Sequence, residues 1–142
     1  MMIDIDEQAY NLLEKEIEKT HYNARRYNSI STFGLLYFDG ILHDTDLRNL
    51  LRLSDFFLKL NEHYYFLNFH YTSENDAIKA GENLIFNLDK TLENRKSYLA
   101  VDRINVTETT KSTINRLYQI LQETIKRENN RVEDENILNE LY

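Results

Sequence analysis

The side chains that could bind a metal or transfer a proton are few and scattered along this 142-residue sequence. The sequence contains four histidines, which are His21, His43, His63 and His70. No H-x-x-x-H or H-E-x-x-H motif connects them. Only His43 has close acidic neighbours, in the segment His43-Asp44-x-Asp46, and the start of a short helix uses the same residue types. We therefore interpret this segment as a helix start and expect no metal site.

Asp39 has a more definite position, because it directly follows residues 30–38, which are rich in β-branched and aromatic residues and are continuously apolar in their second half. A buried strand that ends there delivers a carboxylate to the edge of a sheet, where palm-like ferredoxin folds place a metal-binding aspartate. Magnesium chemistry needs a second carboxylate close by, and Gly40 and Ile41 supply none. We interpret Asp39-Gly40 as a strand-ending turn. An enzyme that uses Asp39 with carboxylates from elsewhere in the fold is the less favoured alternative.

Composition excludes several classes of function. Without cysteine, the chain has no disulfide, no thiol nucleophile and no cysteine-based zinc site. Its three glycines, Gly34, Gly40 and Gly81, cannot form a P-loop or a G-x-G-x-x-G turn. The 17 basic and 24 acidic residues give a net charge of −7, which disfavours a nucleic-acid partner. We expect no catalytic residue and no cofactor.

The sequence also contains no signal for the membrane. No apolar run approaches the roughly 18 residues that a membrane span requires. The acidic N-terminus lacks the apolar core of a signal peptide. We expect a cytoplasmic protein with no membrane contact.

The elements that would position these residues alternate between helices and strands. In chain order, the patterns predict a helix over 5–27, a strand over 30–38, a short helix capped by Asp44 or Thr45, strands over 56–60 and 64–71, a helix opened by Ser73 that includes Leu92, a strand over 97–104, and a helix over 110–128. The polar residues 61–63 predict a tight turn between two of the strands.

The order of these elements predicts the fold class. Between residues 30 and 104 it is β-α-β-β-α-β, the ferredoxin-like unit of four antiparallel strands with two helices on one face. We therefore expect an α+β fold with an extra helix at each end. Residues 1–29 form the leading helix, 30–104 the core, and 110–142 the terminal helix and tail of a single domain.

Several segments resemble the GGDEF domain, the catalytic domain of diguanylate cyclases. Residues 25–28 and 31–39 are similar to the family's opening helix and first strand, and residues 51–55 are similar to its L-R-x-x-D segment. The helix with Asp76 and Ala77, and the residues from Asn115 to Val132, resemble the helix after the signature turn and the last helix. The resemblance follows the family's order over most of residues 10–132.

The resemblance fails at the residues that would perform catalysis. At the position of the family's Gly-Gly-(Asp/Glu)-Glu-Phe turn, this chain has Asn61, Glu62, His63, Tyr64 and Tyr65. Both glycines that allow close approach of the nucleotide are absent, and a histidine replaces an acidic residue that helps to hold the metal. The segment between the first strand and the R-x-x-D motif is also shorter than in the family. The resemblance therefore implies a degenerate GGDEF-like domain that is not an enzyme.

One binding motif of the family is kept. Arg52-Leu-Ser-Asp55 stands five residues before Asn61, the spacing at which active members carry an inhibitory site for cyclic di-GMP. A guanidinium can bond the O6 and N7 edge of guanine, and a carboxylate can accept from its N1 and N2. Alternatively, Arg52 and Asp55 form an ordinary ion pair with each other.

Two classes of function remain after these exclusions. The favoured one is a non-catalytic signalling module that docks on a protein partner, with a cyclic di-GMP receptor at Arg52 and Asp55 as its alternative. The other is the enzyme with an unrecognised metal site at Asp39. The first helix, or the apolar tail residues Ile137, Leu138, Leu141 and Tyr142, could pair with another protein or with a second copy of the chain.

Overall fold

The computed structural model describes residues 3–91 and 96–139. The elements are, in chain order, α1 (Glu7–Tyr27), β1 (Ser31–Phe38), α2 (Asp44–Leu50), β2 (Asp55–Lys59), β3 (Tyr64–His70), α3 (Glu74–Thr91), β4 (Ser97–Arg103), α4 (Thr110–Arg127), β5 (Val132–Glu133) and α5 (Asn136–Asn139). The predicted helices and strands are confirmed, with bounds that differ by no more than two residues. Predictions for Leu92, Leu141 and Tyr142 fall outside the described residues.

The strands form one sheet in the order β2-β3-β1-β4-β5. β1 is antiparallel to both β3 and β4, with Gly34 opposite Leu67 on one side and Val101 on the other. β2 is antiparallel to β3. The first four strands therefore have the predicted ferredoxin-like order, and the α+β class is confirmed.

The fifth strand corrects the prediction of a four-stranded sheet. β5 pairs in parallel with β4, where Val132 lies opposite Leu99. Its two residues are too few to show the alternation by which strands are predicted. Gly81 lets α3 lie close to this corner, because a Cβ there would stand 2.5 Å from Leu99 Cδ2 and 3.2 Å from Val132 Cγ1.

Helices cover both faces of the sheet. On one face, Leu36 and Phe38 of β1 share a buried cluster with residues of α2 and α3. On the other, Phe33 and Leu35 pack with residues of α1 and α4. The ferredoxin-like unit thus keeps its two helices on one face, as predicted, and the added terminal helices cover the opposite face.

Side-chain hydrogen bonds explain where three of the helices begin, and the predicted cap of a fourth helix is corrected. Asp6 and Thr109 accept bonds from the N–H groups of Ala9 and Ser112 at the starts of α1 and α4, and Ser73 accepts one from the Asp76 N–H. α2 differs from its prediction, because neither Asp44 nor Thr45 is its cap. His43 is the capping residue, makes no side-chain cap bond, and is followed by Asp44 as the first helical residue. Acidic side chains in a first turn still suit the positive end of a helix.

The C-terminal tail folds onto the chain itself. Ile137 of α5 is buried in the same cluster as α1 and α4, and Leu138 packs against that cluster. Of the tail residues proposed for pairing with a partner, these two therefore pack within the chain itself.

No described helix has the length and apolar character that crossing a bilayer requires.

The two ends of the sheet carry different candidate sites. At one end of the sheet, β1 and β2 begin and β3 and β4 finish. Arg52 lies at this end, just before β2, so we call it the Arg52 end. At the opposite end, β1 is followed by Asp39 and the turn 61–63 connects β2 to β3. We call this the Asp39 end.

Candidate functional site

His63 closes the Asp39 end of the sheet. Its carbonyl oxygen accepts a hydrogen bond from the Phe38 N–H at 2.9 Å, and its ring Nδ1 lies 3.1 Å from the Phe38 carbonyl oxygen. Since a carbonyl oxygen only accepts, Nδ1 is the protonated donor nitrogen. The imidazole is therefore fastened to the end of β1, at a position where the family's turn offers an acidic side chain.

Asn61 shapes the turn at the position where the resemblance to GGDEF domains would place glycine. Its Oδ1 accepts bonds from the N–H groups of His63 at 2.9 Å and Tyr64 at 3.1 Å. Its Nδ2 donates to the Asp4 carbonyl oxygen at 2.9 Å. An asparagine that bonds the backbone two residues ahead forms a stable turn without glycine. The turn is thus held by side-chain bonds instead of presenting bare backbone.

A small cavity of about 250 Å³ lies beside this turn. It is lined by Gly40, Ile41, Leu42, Lys59, Glu62 and His63. The side chains of Glu62 and His63 therefore form part of the wall of this cavity, between the turn and the end of β1.

Tyr65 belongs to the core, and the partly buried Tyr64 packs against it. The Tyr64 ring lies 5.3 Å from that of Tyr37 and 6.1 Å from that of Tyr118. Burial, with these two phenols beside it, raises the pKa of Tyr64 to about 12. Tyr65 is buried on the opposite face and donates from its hydroxyl to the Leu42 carbonyl oxygen at 3.0 Å. Neither ring is placed as a platform for a nucleobase.

Asp39 is exposed at the end of β1. Its Oδ1 lies 3.5 Å from the Tyr37 hydroxyl, and burial together with the Asp39 charge raises the pKa of that phenol. Among the described residues, the only trio of potential metal ligands that converges lies elsewhere and includes neither Asp39 nor His43.

Arg52 and Asp55 form a closed pair at the Arg52 end. Asp55 Oδ2 accepts from the Arg52 backbone N–H at 3.0 Å and from Nε at 3.2 Å, while Oδ1 accepts from Nη2 at 2.9 Å. The Arg52 side chain is 50% exposed, whereas the Asp55 side chain is 2% exposed. The two predicted ligand residues are thus brought together, with the carboxylate bonded by Arg52 and half of the Arg52 side chain exposed.

Neighbouring residues fix this pair in place. Arg52 Nη2 also donates to Thr72 Oγ1 at 2.9 Å. Arg48 Nη1 donates to the Asp55 carbonyl oxygen at 2.8 Å, and its guanidinium lies over the Phe57 ring at 5.5 Å. Two arginines therefore hold the loop between α2 and β2 against the end of β3.

A cluster of acidic residues that the sequence did not reveal lies near the ends of β4 and α3. Carboxylate oxygens of Glu74, Asp102 and Glu135 converge within 4.8 Å. Arg116 pairs with two of them, donating from Nε to Asp102 at 2.8 Å and from Nη2 to Glu135. Burial raises the pKa of Asp102 against the opposing effect of Arg116. Arg116 offsets part of the negative charge of the cluster. Its acidic members come from α3, from β4 and from the residue before α5, so no local motif predicts it.

A second polar cluster connects α1 to β3. Glu16 Oε2 accepts from His70 Nε2 and from Asn68 Nδ2, both at 2.8 Å. Asn68 Nδ2 also lies 2.9 Å from Thr20 Oγ1. Glu16, Thr20 and Asn68 are buried. A buried carboxylate with these donors positions the helix on the sheet. Glu16 is 52 positions from Asn68 and 54 positions from His70 in the sequence.

Comparison with sequences identifies no relative. No family model matches the chain, and no curated protein matches it either. Comparison with solved structures is more informative, and the similar structures include three GGDEF-type proteins.

The GGDEF domain of FimX from Pseudomonas aeruginosa gives a TM-score of 0.72 at 12% identity, over 94% of this chain and 100% of that chain. Diguanylate cyclase SiaD in complex with its activator SiaC, from the same species, gives 0.72 at 16% identity. The match covers 87% of this chain and 56% of SiaD. The GGDEF domain of DgcB from Caulobacter crescentus, in complex with cyclic di-GMP, gives 0.69 at 11% identity, over 85% and 84% of the two chains. This chain has the fold of GGDEF domains, as its sequence resemblance predicted.

Proposed function

We propose that this chain is a non-catalytic regulatory module with the GGDEF fold, which acts by docking on a protein partner. The hydrogen bonds of the β2–β3 turn support the first part of the proposal, which is that the chain is not catalytic. Asn61 holds the turn through its side chain, and His63 is hydrogen-bonded to the end of β1. The cytoplasmic location expected from the sequence is part of the same proposal.

The chemistry of nucleotidyl transfer explains why this geometry opposes catalysis. Magnesium prefers carboxylate oxygens, and the phosphates must approach bare backbone closely. Asp39 is the one carboxylate at the end of β1, and His63 is a poor magnesium ligand beside it. Asn61 and Glu62 place side chains where the family has glycine.

An assay for cyclic di-GMP formation directly tests the proposal that the chain is not catalytic. Purified protein incubated with GTP and Mg²⁺ or Mn²⁺ should yield no cyclic di-GMP above a heat-inactivated control, with an active diguanylate cyclase run in parallel. The same reaction with Asp39→Ala is the matched variant. Product that forms with the wild type and disappears with Asp39→Ala would overturn the proposal and establish a metal site at Asp39.

The second part of the proposal, docking on a protein partner, rests on the GGDEF fold of the chain. Buried clusters on both faces of the sheet maintain the fold, so the chain can present a surface to a partner without a catalytic turn. SiaD, which shares the fold, was solved together with a protein activator. A degenerate domain that keeps its surface can serve a partner in the same way, by analogy of fold.

A cyclic di-GMP receptor is the second candidate, and one observation favours it. The Arg52 guanidinium is oriented by Asp55 and Thr72 while half of its side chain remains exposed. A guanine edge could be bonded by such a group. Asp55 is already saturated by Arg52, so binding would depend on the arginine alone.

Calorimetry with cyclic di-GMP separates the two candidates. Binding with a dissociation constant in the micromolar range that is lost in Arg52→Lys would support the receptor, because lysine keeps the charge but not the planar donor geometry. An absence of heat at high protein concentration, with the protein shown to be folded, would leave the docking module as the function.

A further inference from the structure

The C-terminal segment is fixed to the sheet at its start and packs into the core near its end. β5 pairs with β4, and Arg131 Nη2 donates to Asp89 Oδ1 at 2.6 Å. Beyond β5, Ile137 of α5 is 1% exposed in the buried cluster that it shares with residues of α1 and α4. Asp134 and Glu135 connect these two parts, so their contacts help to hold α5 on the core. We call residues 134–139 the C-terminal strap.

Carboxyl groups of the rest of the chain face both connecting residues. Carboxylate oxygens of Glu135, Glu74 and Asp102 converge within 4.8 Å, and Asp134 is hydrogen-bonded through its side chain to Glu74. Arg116 bonds Asp102 and Glu135. No ion pair among the described residues includes Glu74 or Asp134. Arg116 therefore offsets the charge of Asp102 and Glu135, whereas Glu74 and Asp134 are in contact with each other.

The contact between Glu74 and Asp134 needs a proton, because ionised carboxylates only accept hydrogen bonds. Burial, then the bond to Asp134, and the charges of Asp134 and Glu135 raise the pKa of Glu74 to about 6, against the lowering effect of the Arg103 N–H, which donates to Glu74 Oε2 at 3.3 Å. The protonated carboxyl group of Glu74 can donate to Asp134 and accept from Arg103 at the same time. The charged residues at the ends of the surrounding elements are Asp102 and Arg103 of β4, Glu108 before α4, Arg116 of α4, and Asp134 and Glu135 before α5.

We propose that a proton held between Glu74 and Asp134 latches the C-terminal strap onto the core, and that loss of this proton to solvent as the pH approaches neutrality releases Ile137 and Leu138. Without the proton, two ionised carboxylates face each other, and their added charge also faces Glu135. The bond that held the strap then becomes a repulsion. The strap is therefore a pH-sensitive switch, which neither requires nor excludes the docking function.

Asp134 transmits this change to α5. Its Oδ1 accepts from the Asn136 N–H at 3.0 Å, and its carbonyl oxygen accepts from the Ile137 N–H at 3.2 Å. A displacement of Asp134 therefore breaks the bonds with which α5 begins. Arg131 Nε donates to the Ser97 carbonyl oxygen at 2.8 Å and keeps β5 in place, so the opening is confined to the strap.

Hydrogen exchange of the full chain, followed by NMR, tests the latch. The N–H groups of Ile137 and Leu138 bond the carbonyl oxygens of Asp134 and Glu135 while α5 is formed. We expect their protection factors, corrected for the intrinsic pH dependence of exchange, to fall at least about fivefold from pH 5 to pH 8. The reason is that between pH 4.5 and about 6 the closed strap binds a proton that the released strap does not. The Leu35 amide of β1 should be protected more strongly at both pH values, because the strap opens without unfolding of the sheet.

Two substitutions replace the shared proton with an amide. Glu74→Gln can donate to Asp134 and still accept from the Arg103 N–H, and Asp134→Asn can donate to Glu74 and still accept from the Asn136 N–H. Each should keep the protection factors of the strap constant within about twofold from pH 5 to pH 8. The matched control, Glu82→Gln, removes the same charge from an exposed position of α3 and should keep the fall seen in the wild type.

Each alternative outcome overturns a different step of the proposal. A ¹³C titration of the Glu74 carboxyl group with a midpoint close to 4.5 would show that the contact holds no proton. A fall in protection that persists in both amide variants would assign the release to another group. Equal protection of Ile137 and Leu35 would show that α5 opens only when the whole chain unfolds. Protection of the strap that does not change with pH in the wild type would refute the switch.

Discussion

Asn61 and Asp4 are joined by a hydrogen bond of 2.9 Å from a side-chain amide to a backbone carbonyl oxygen, across 57 positions of the sequence. The same side chain holds the turn through its Oδ1. One residue therefore shapes the turn between β2 and β3 and anchors the segment that precedes α1. Asn61 thus supplies a long-range contact of the fold in addition to its bonds within the turn.

Replacement of Asn61 should separate these two roles. Aspartate keeps an oxygen that caps the turn but cannot donate to Asp4, so Asn61→Asp should lower the free energy of unfolding by about 1 kcal/mol. Asn61→Ala loses both roles and should cost about 2 kcal/mol. Hydrogen exchange should speed up at the amides of residues 4–8 in both variants. Equal losses of stability in the two variants would contradict a separate anchoring role.

The pair of Arg52 and Asp55 should be measurable as a stability element. Asp55→Ala removes the acceptor of three N–H bonds in a buried position and should lower the free energy of unfolding by about 2–3 kcal/mol. Arg52→Ala should cost about as much, because it leaves the buried carboxylate with only the backbone N–H of its three donors. Urea unfolding measures both, with exposed Arg26→Ala as the control. A loss under about 0.5 kcal/mol for Asp55→Ala would show that the pair is not structural.

Acid should weaken the contact between α1 and β3. Burial raises the pKa of Glu16, but the bonds from His70 and Asn68 outweigh it and leave the pKa below the ordinary 4.5. A carboxylate with a lowered pKa in the folded state contributes stability above pH 4.5, and that contribution is lost as the pH falls through the folded-state value. Glu16→Gln should therefore flatten the decline in melting temperature below pH 4.5. A parallel decline in wild type and variant would contradict this assignment.

Glu74 should have the opposite dependence on pH. Burial, and a hydrogen bond shared with Asp134, raise the pKa of Glu74 from 4.5 to about 6. The folded state then binds more protons than the unfolded chain between these values, so stability falls as the pH rises from 4.5 to 6. Glu74→Gln keeps an oxygen for the Arg103 N–H and should raise the free energy of unfolding at pH 7 by about 1 kcal/mol. Destabilisation at pH 7 would refute the raised pKa.

Most of the fold could be predicted because its elements carry strong local patterns. The apolar run of β1 and the three-and-four spacing of Ile114, Leu117 and Leu121 on α4 predict strand and helix directly. The β2–β3 hairpin was recognisable from Asn61 and its polar neighbours. β5 was not, since its register with Leu99 arises from packing beside Gly81 and not from a sequence pattern.

The candidate sites were predictable only where a motif is local. Arg52 and Asp55 are three positions apart, and the structure brings them together. Glu16 and His70 are 54 positions apart, and Asp102 meets Glu74 and Glu135 only because β4 ends beside α3 and the C-terminal segment. From the sequence, Tyr71 is predicted to be the last residue of a strand. Its left-handed backbone conformation could not be predicted, because glycine or asparagine normally occupies such a position.

The short strand β5 covers part of a sheet edge, because it pairs with Leu99 and Ala100 of β4. Unpaired N–H and C=O groups at the edge of a sheet are a template for strands of other molecules. β5 covers the outer edge of β4, where the Leu99 N–H bonds the Arg131 carbonyl oxygen at 2.8 Å, and Arg131 is fixed in turn by Asp89 at 2.6 Å. The opposite edge, β2, is five residues long and ends in the exposed charge of Lys59. Loss of the segment from Arg131 onward would uncover a buried, apolar strand and make it available for amyloid-like pairing.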